Sequence, residues 1–227
     1  MKIIIGAYRG LELAQRALDS IWEHAVGVTG ITIIDDSGGQ NWDSIFSSSG
    51  TLSAFPGAAL PAIEVVPKVV VLPRVGYTRA MQAVCRAAGG ERFMFWEEDF
   101  IATEDFDLEE MATVLVAEPK LAQLALLRQP FFPNEIAAGS LLAGLQRRLP
   151  DTVMVEREVA GIDIIEQDGT FTCNPAVWQS GITSQGWPSG KWSEDRMRDR
   201  LAQQGFRFGF LPGERVHHDG KRSGFGY

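Results

Sequence analysis

Short aliphatic runs alternate with amphipathic stretches through the first half of the chain. Ile3-Ile4-Ile5 is continuously apolar and β-branched, the pattern of a strand covered on both faces. Leu11, Ala14, Leu18, Ile21, Trp22 and Ala25 then recur at helical spacing and predict a helix with one apolar stripe. Ile31–Ile34 is a second buried strand, stopped by the turn chemistry of Asp35-Asp36-Ser37-Gly38-Gly39. A β-α-β opening implies parallel pairing through a right-handed crossover. Val69–Leu72 predicts the next strand, and Thr78–Ala88 a helix with Met81, Val84, Cys85 and Ala88 on one face. The strand Arg92–Trp96 ends abruptly at Glu97-Glu98-Asp99. Asp107-Leu108-Glu109-Glu110 has capping-box spacing and opens a helix to Ala117, and Leu121–Leu127 is a buried strand.

The second half changes character. Thr152–Val159 and Ile162–Gln167 alternate like antiparallel or edge strands joined through Ala160-Gly161, and Thr170–Cys173 predicts another short strand. A Gly/Ser/Trp-rich loop, Gln179–Trp192, leads into a helix from Ser193 to Gly205, then a strand, Phe206–Leu211, and a polar tail from Val216 to Tyr227. Residues 40–62 read as a loop with one short helix near Trp42–Phe46. The expected fold is α/β: a mostly parallel central sheet flanked by helices, with a small antiparallel portion in the second half.

Composition narrows the function classes. The 227 residues, 45% hydrophobic and 22% charged, suit one domain with a real core and leave no room for two independent enzymes. A net charge of −8 argues against a reader of duplex DNA, whose binding leans on Lys and Arg at phosphates. Cys85 and Cys173 are too few and too far apart for a disulfide framework or a zinc site, and read as reduced and structural. The opening apolar run is too short for a signal peptide, and no stretch is long enough to span a bilayer. The expectation is a soluble, cytoplasmic protein.

Ligands of open parallel sheets bind just past the carboxyl ends of the strands. Two strands end in acids here, at Asp35-Asp36 and at Glu97-Glu98-Asp99. Either cluster alone reads as an ordinary wet strand end. Together on one sheet edge they would repel unless a cation joined them, and hard oxygen ligands suit Mn²⁺ or Mg²⁺ carrying a diphosphate.

The stretch Gly76 through Asp99, together with Ile3–Arg9 and Ile33–Gly38, resembles family 2 GT-A glycosyltransferases: a first strand and turn, a nucleoside-binding Asp-Asp turn, then a glycine-led helix, an aromatic strand and a D-x-D motif. The resemblance implies one GT-A domain, with a nucleotide-sugar half over 1–105 and an acceptor half over 106–227. It implies that Ala7, Tyr8 and Arg9 border the donor, that Asp35 or Asp36 accepts hydrogen bonds from base or ribose, and that Arg74 and Arg79 meet the diphosphate. Asp99 matches the last Asp of D-x-D as the metal ligand. Glu97 departs from the family's Asp, and Glu98 is the candidate to substitute for it.

Trp192-Ser193-Glu194-Asp195 opens a helix, with Ser193 a good N-cap. Acids there stabilise a helix terminus by themselves. The resemblance makes Asp195 the general base of an inverting transfer, the helix dipole would keep it always ionised, and Trp187 and Trp192, aromatic faces in a Gly/Ser/Pro loop, read as acceptor contacts with Glu194. It makes His217 or His218 a late metal or diphosphate ligand, against the plain reading of an exposed polar tail, and the residues from Lys221 to Tyr227 read as a lid over the donor phosphates. That tail, with Gln129–Glu135, is also similar to compact glycosyltransferases carried by phages. The implied donor is a UDP-, GDP- or TDP-linked sugar, and the acceptor a protein side chain, a glycan or a modified base. A sugar-nucleotide nucleotidyltransferase ranks second, because Gly6-Ala7-Tyr8-Arg9-Gly10 is glycine-poor for a phosphate loop. A non-catalytic nucleotide-sugar or glycan-binding module is the third reading.

Overall fold

The structure, a computed structural model, describes residues 1–8, 10–46 and 65–220, without the side chain of Phe46. The chain runs β1 (Lys2–Ala7), α1 (Leu11–His24), β2 (Ala25–Val26), β3 (Gly30–Asp35), α2 (Asp43–Phe46), β4 (Lys68–Val71), α3 (Tyr77–Ala88) and β5 (Phe93–Glu97). It continues through β6 (Phe100–Ala102), β7 (Phe106–Asp107), α4 (Leu108–Ala117), β8 (Leu121–Arg128), α5 (Pro133–Ala138) and α6 (Leu141–Arg148). It closes with β9 (Met154–Val159), β10 (Ile162–Gln167), β11 (Ala176–Trp178), α7 (Ser193–Gln203) and β12 (Arg207–His218).

Among the described residues the main sheet has the order β4-β3-β1-β5-β11-β8-β12-β10-β9, with β6 also paired to β12. β4, β3, β1 and β5 are mutually parallel. β11 inserts antiparallel between β5 and β8, and β8 runs parallel to β12. The β9–β10 hairpin supplies the expected antiparallel edge. Its turn needs left-handed backbone at two consecutive residues, met by Ala160 (φ 54°) and Gly161 (φ 82°).

Two apolar layers sandwich the sheet because successive strand residues face opposite sides. Ile3 and Ile5 face the layer built by Ala14, Leu18 and Ile21 of α1 with Met111 and Val114 of α4. Ile4 faces the layer built by Met81, Val84 and Ala88 of α3 with Met197 and Leu201 of α7. A strand buried on both faces must be apolar throughout, which is why β1 shows no alternation. No helix among the described residues is long and apolar enough to cross a membrane.

Two expectations change. Thr170–Cys173 is not a strand. The buried Gln123 takes its backbone groups instead, donating to the Thr172 carbonyl (3.1 Å) and accepting from the Thr172 amide (3.0 Å). The last strand does not stop at Leu211: it runs with register shifts to His218, so Val216, His217 and His218 belong to the sheet and not to a tail. The apolar stretch Ile136–Leu145 is a pair of short helices, broken at Gly139 (φ 87°) and restarted by Ser140, whose hydroxyl accepts from the Ala143 amide.

Candidate functional site

The strand order reverses at β1. The chain builds outward through β3 and β4 on one side, and β5 and the later strands lie on the other. A crevice opens past the carboxyl ends of the strands at such a point. Its walls include Ala7 and Tyr8 after β1, Asp36 after β3, Tyr77 at the start of α3, and Glu97, Glu98 and Asp99 after β5. Ala7, Tyr8, Asp36, Glu98 and Asp99 are therefore brought to one crevice.

The two aspartates of the β3 turn divide. Asp35 is fully buried and spent on its own turn: it accepts from the Ser37 amide (2.8 Å) and the Trp42 indole (2.8 Å). Burial alone would raise its pKa, but these bonds and the Gln40 amide outweigh it, and the group sits below the ordinary carboxylate range. Asp35 does not line the crevice, which corrects its expected donor contact. Asp36 does, while its carboxylate accepts from the amides of Val75 (2.5 Å) and Gly76 (2.8 Å). Gly76 adopts φ 84°, open to glycine, and so turns the entry to α3 onto that carboxylate.

Arg74 lies at the rim, its guanidinium 5.5 Å from the Tyr8 ring centre and 3.3 Å from the Tyr8 hydroxyl. Arg79 is exposed on α3 and lines neither the crevice nor the larger cavity beside it. Arg9 and the lid expected from Lys221 onward lie outside the described residues.

A larger cavity, of ≈ 540 Å³, adjoins the crevice, and Tyr77 and Glu97 line both. That volume suits a small ligand. Glu194, Asp195 and Trp192 line the larger cavity, with Phe131 and Arg148 among the opposing groups. Trp192 is 64% exposed. Trp187 is not. It is 3% exposed and stacks on Trp178 at 5.8 Å, so the expected acceptor contact is corrected to a core position. Ser193 does not cap α7 either. Trp192 holds that position in left-handed backbone (φ 59°), with no side-chain cap, and Ser193 is buried in the first turn.

The two acids of α7 differ in surroundings. Asp195 has a half-exposed side chain (52%) and pairs with Arg198 at 3.0 Å. Glu194 turns inward, where its Oε1 accepts from the Cys173 amide at 2.9 Å. Burial, opposed by that bond and assisted by the charge of Asp195, pushes the Glu194 pKa up to about 7. The Cys173 thiol accepts from the Tyr77 hydroxyl at 3.1 Å, linking the wall shared by the cavities to the helix start.

The same sheet end carries donors for a cation. His218 Nε2 stands 3.4 Å from Asp99 Oδ2. Two ligands roughly 2.1 Å from one hard cation lie about 3–4 Å apart, so this pair fits a shared Mn²⁺ or Mg²⁺. Among the described residues no group of three His, Cys, Asp or Glu side chains is gathered for a metal. His217 points the other way, exposed and opposite Ile101, because neighbouring strand residues alternate. His217 is thereby corrected out of the metal set.

Sequence reasoning missed the support of this corner. Arg128, at the end of β8, makes a buried bidentate pair with Glu135 (2.7 and 3.0 Å). Glu135 also accepts from the amides of Phe131 and Phe132. The Phe131 ring then stands edge-on to His218 at 4.1 Å. A buried arginine and glutamate seven residues apart, flanking two phenylalanines, was the only signal, and it has no meaning until the chain folds.

No protein-family model matches the chain, and no curated protein matches it by sequence. Solved structures do. A mannosyltransferase from Pyrobaculum calidifontis, determined with GDP-Man and Mn²⁺, is 13% identical with a TM-score of 0.60, covering 99% of this chain and 58% of that one. A UTP-bound UGPase from Acinetobacter baumannii is 10% identical with a TM-score of 0.55, covering 98% of this chain and 90% of that one. The chain thus spans little more than half of the mannosyltransferase's length. At such identities the likeness establishes the fold, an α/β domain similar to that of GT-A glycosyltransferases.

Proposed function

We propose that this chain transfers a sugar from a nucleotide-diphosphate donor to an acceptor hydroxyl, assisted by Mn²⁺ or Mg²⁺. The observation that carries the reading is the pair of adjoining cavities sharing Tyr77 and Glu97 as a common wall. A donor in the crevice past β1 and an acceptor in the larger cavity would bring their reacting ends to that wall, and a fixed approach of this kind supplies much of a transferase's rate. The likeness to a mannosyltransferase seen with GDP-Man and Mn²⁺ supports it.

Each group then has a physical task. Ala7 and Tyr8 border the nucleoside, Asp36 holds the turn into α3 while facing it, and Arg74 at the rim offers a cation to the diphosphate. Asp99 and His218 would hold the metal, which when bound offsets the charge of the departing diphosphate. The acids at the start of α7 face the acceptor side, and one of them takes the proton of the attacking hydroxyl. Attack from the side opposite the diphosphate inverts the anomeric carbon. Trp192 offers an exposed ring to the acceptor.

The test is thermal-shift measurement with UDP-, GDP- and TDP-linked sugars, with and without Mn²⁺. One donor class should stabilise the protein only when the cation is present. Absence of cation-assisted affinity for every nucleotide overturns the proposal. A second reading, a sugar-nucleotide nucleotidyltransferase, is favoured by the UGPase likeness. Incorporation of labelled pyrophosphate into a nucleoside triphosphate would establish it instead.

A further inference from the structure

We infer that Glu194, rather than its neighbour Asp195, is the group that removes the acceptor proton. The inference rests on the transferase reading and selects between two acids that the sequence places side by side. Adjacent helical residues point about 100° apart, so the two cannot serve one hydroxyl equally. A general base has to hold an oxygen within about 3 Å of the proton it takes, in a place where water does not compete. Asp195 is 52% exposed and already engaged by Arg198. Glu194 is anchored inward by the Cys173 amide on Oε1, and it lines the cavity. Tyr77 and Cys173 both sense the charges of Glu194 and Glu97, which puts Glu194 near the wall common to the two cavities.

The surroundings of Glu194 match the task. The charged and titratable groups facing it are Asp195 and Arg198 on α7, Arg148 at the end of α6, Cys173 in the segment before β11, Tyr77 on α3 and Glu97 at the end of β5. Arg148 and Arg198 favour its ionised form. Burial and the charge of Asp195 oppose it, and together outweigh those two charges and the Cys173 amide bond. The result is a carboxylate far more basic than a solvated one and still half ionised near neutrality. In the step itself the proton passes from the acceptor hydroxyl to Glu194. The freed oxygen pair bonds the anomeric carbon as the bond to the diphosphate oxygen breaks, and that electron pair leaves with the nucleoside diphosphate. Protonated Glu194 then returns its proton to solvent through the open cavity.

The test combines turnover with a titration that needs no substrate. With GDP-mannose or UDP-glucose, Mn²⁺ and water or a free monosaccharide as the acceptor, release of nucleoside diphosphate should rise with pH through a midpoint near 7 and level off above it. Glu194→Gln should lower kcat by about 10²–10⁴-fold, the usual weight of a general base, and flatten the profile. The Mn²⁺-dependent nucleotide thermal shift should remain, and Glu194→Asp should recover part of the rate. Separately, carboxyl ¹³C resonances of the glutamate-labelled protein, with Glu194 assigned through the Gln variant, should show one group titrating near 7. Wild-type turnover in Glu194→Gln overturns the inference. So does a pH inflection that disappears only in Asp195→Asn, or a Glu194 titration at an ordinary carboxylate value. Failure of the wild type to bind any nucleotide with Mn²⁺ would instead indict the transferase reading, and the titration still decides whether Glu194 has the basicity the role requires.

Discussion

At the scale of single residues the site is built from acids that look alike in sequence and differ in what they touch. Asp35 and Asp36 are neighbours, yet one is sealed inside its turn and the other faces the crevice while holding two backbone amides. Asp36→Ala leaves the amides of Val75 and Gly76 without their acceptor. We expect a loss of about 1–3 kcal/mol in urea unfolding, together with loss of nucleotide binding. At the metal corner, Asp99→Asn and His218→Ala should each abolish the Mn²⁺-dependent part of the thermal shift, whereas His217→Ala, exposed on the other face, should keep it. Glu194 also affects stability. Its pKa is raised on folding to about 7, so the folded state binds the extra proton between the ordinary glutamate value and 7. Stability therefore declines as pH rises through that window, and the whole penalty is present above it. Glu194→Gln removes the penalty, so its melting temperature should exceed that of the wild type at pH 8 and lose that advantage at pH 5.

At the scale of elements, short segments are held in place by buried polar side chains where regular structure is absent. The α5 entry depends on Glu135, which binds Arg128 and two backbone amides at once. Burial alone would raise the Glu135 pKa, but the Arg128 guanidinium and the amides of Phe131 and Phe132 hold it below the ordinary range. Its stabilisation is thus complete above the unfolded glutamate value and lost as pH falls through the depressed one. Glu135→Gln strands a buried guanidinium, and we expect a loss of about 3–5 kcal/mol. The paired change Arg128→Met with Glu135→Leu should recover much of that loss. Chemical denaturation of the two variants against wild type checks both. Because Phe131 packs on His218, the paired variant should still bind Mn²⁺ less tightly than wild type. Gln123 does a similar job for the segment that carries Cys173, whose amide anchors Glu194.

At the scale of the whole molecule, the strand reversal at β1 opens the crevice, and the long β12 returns the chain to it. β12 brings His218 from the far end of the sequence beside Asp99, and the amide of Asp219 then donates to the Asp99 carbonyl at 2.8 Å. A ligand confined to the folded state stabilises it by mass action, about 2.7 kcal/mol at a hundredfold excess over Kd. For a domain of this size that is roughly 5–10 °C in melting temperature. Nucleotide and Mn²⁺ together should produce such a shift, each alone much less, since the proposed site needs both to balance its acids.

The sequence by itself determined what local physics determines. Continuous β-branched runs gave β1 and β3, helical spacing gave α1 and α3, and acids after β3 and β5 marked one end of a parallel sheet, because periodicity and turn chemistry act over a few residues. Tertiary structure decided every question of facing and partnership: which aspartate lines the crevice, which histidine meets Asp99, and that Trp187 is buried while Trp192 is exposed. It also decided that Arg128 finds Glu135, and that Glu194 is the acid turned inward. Those outcomes depend on desolvation and on groups distant in the chain, and neither exists until the sheet closes and the loops come to rest on it.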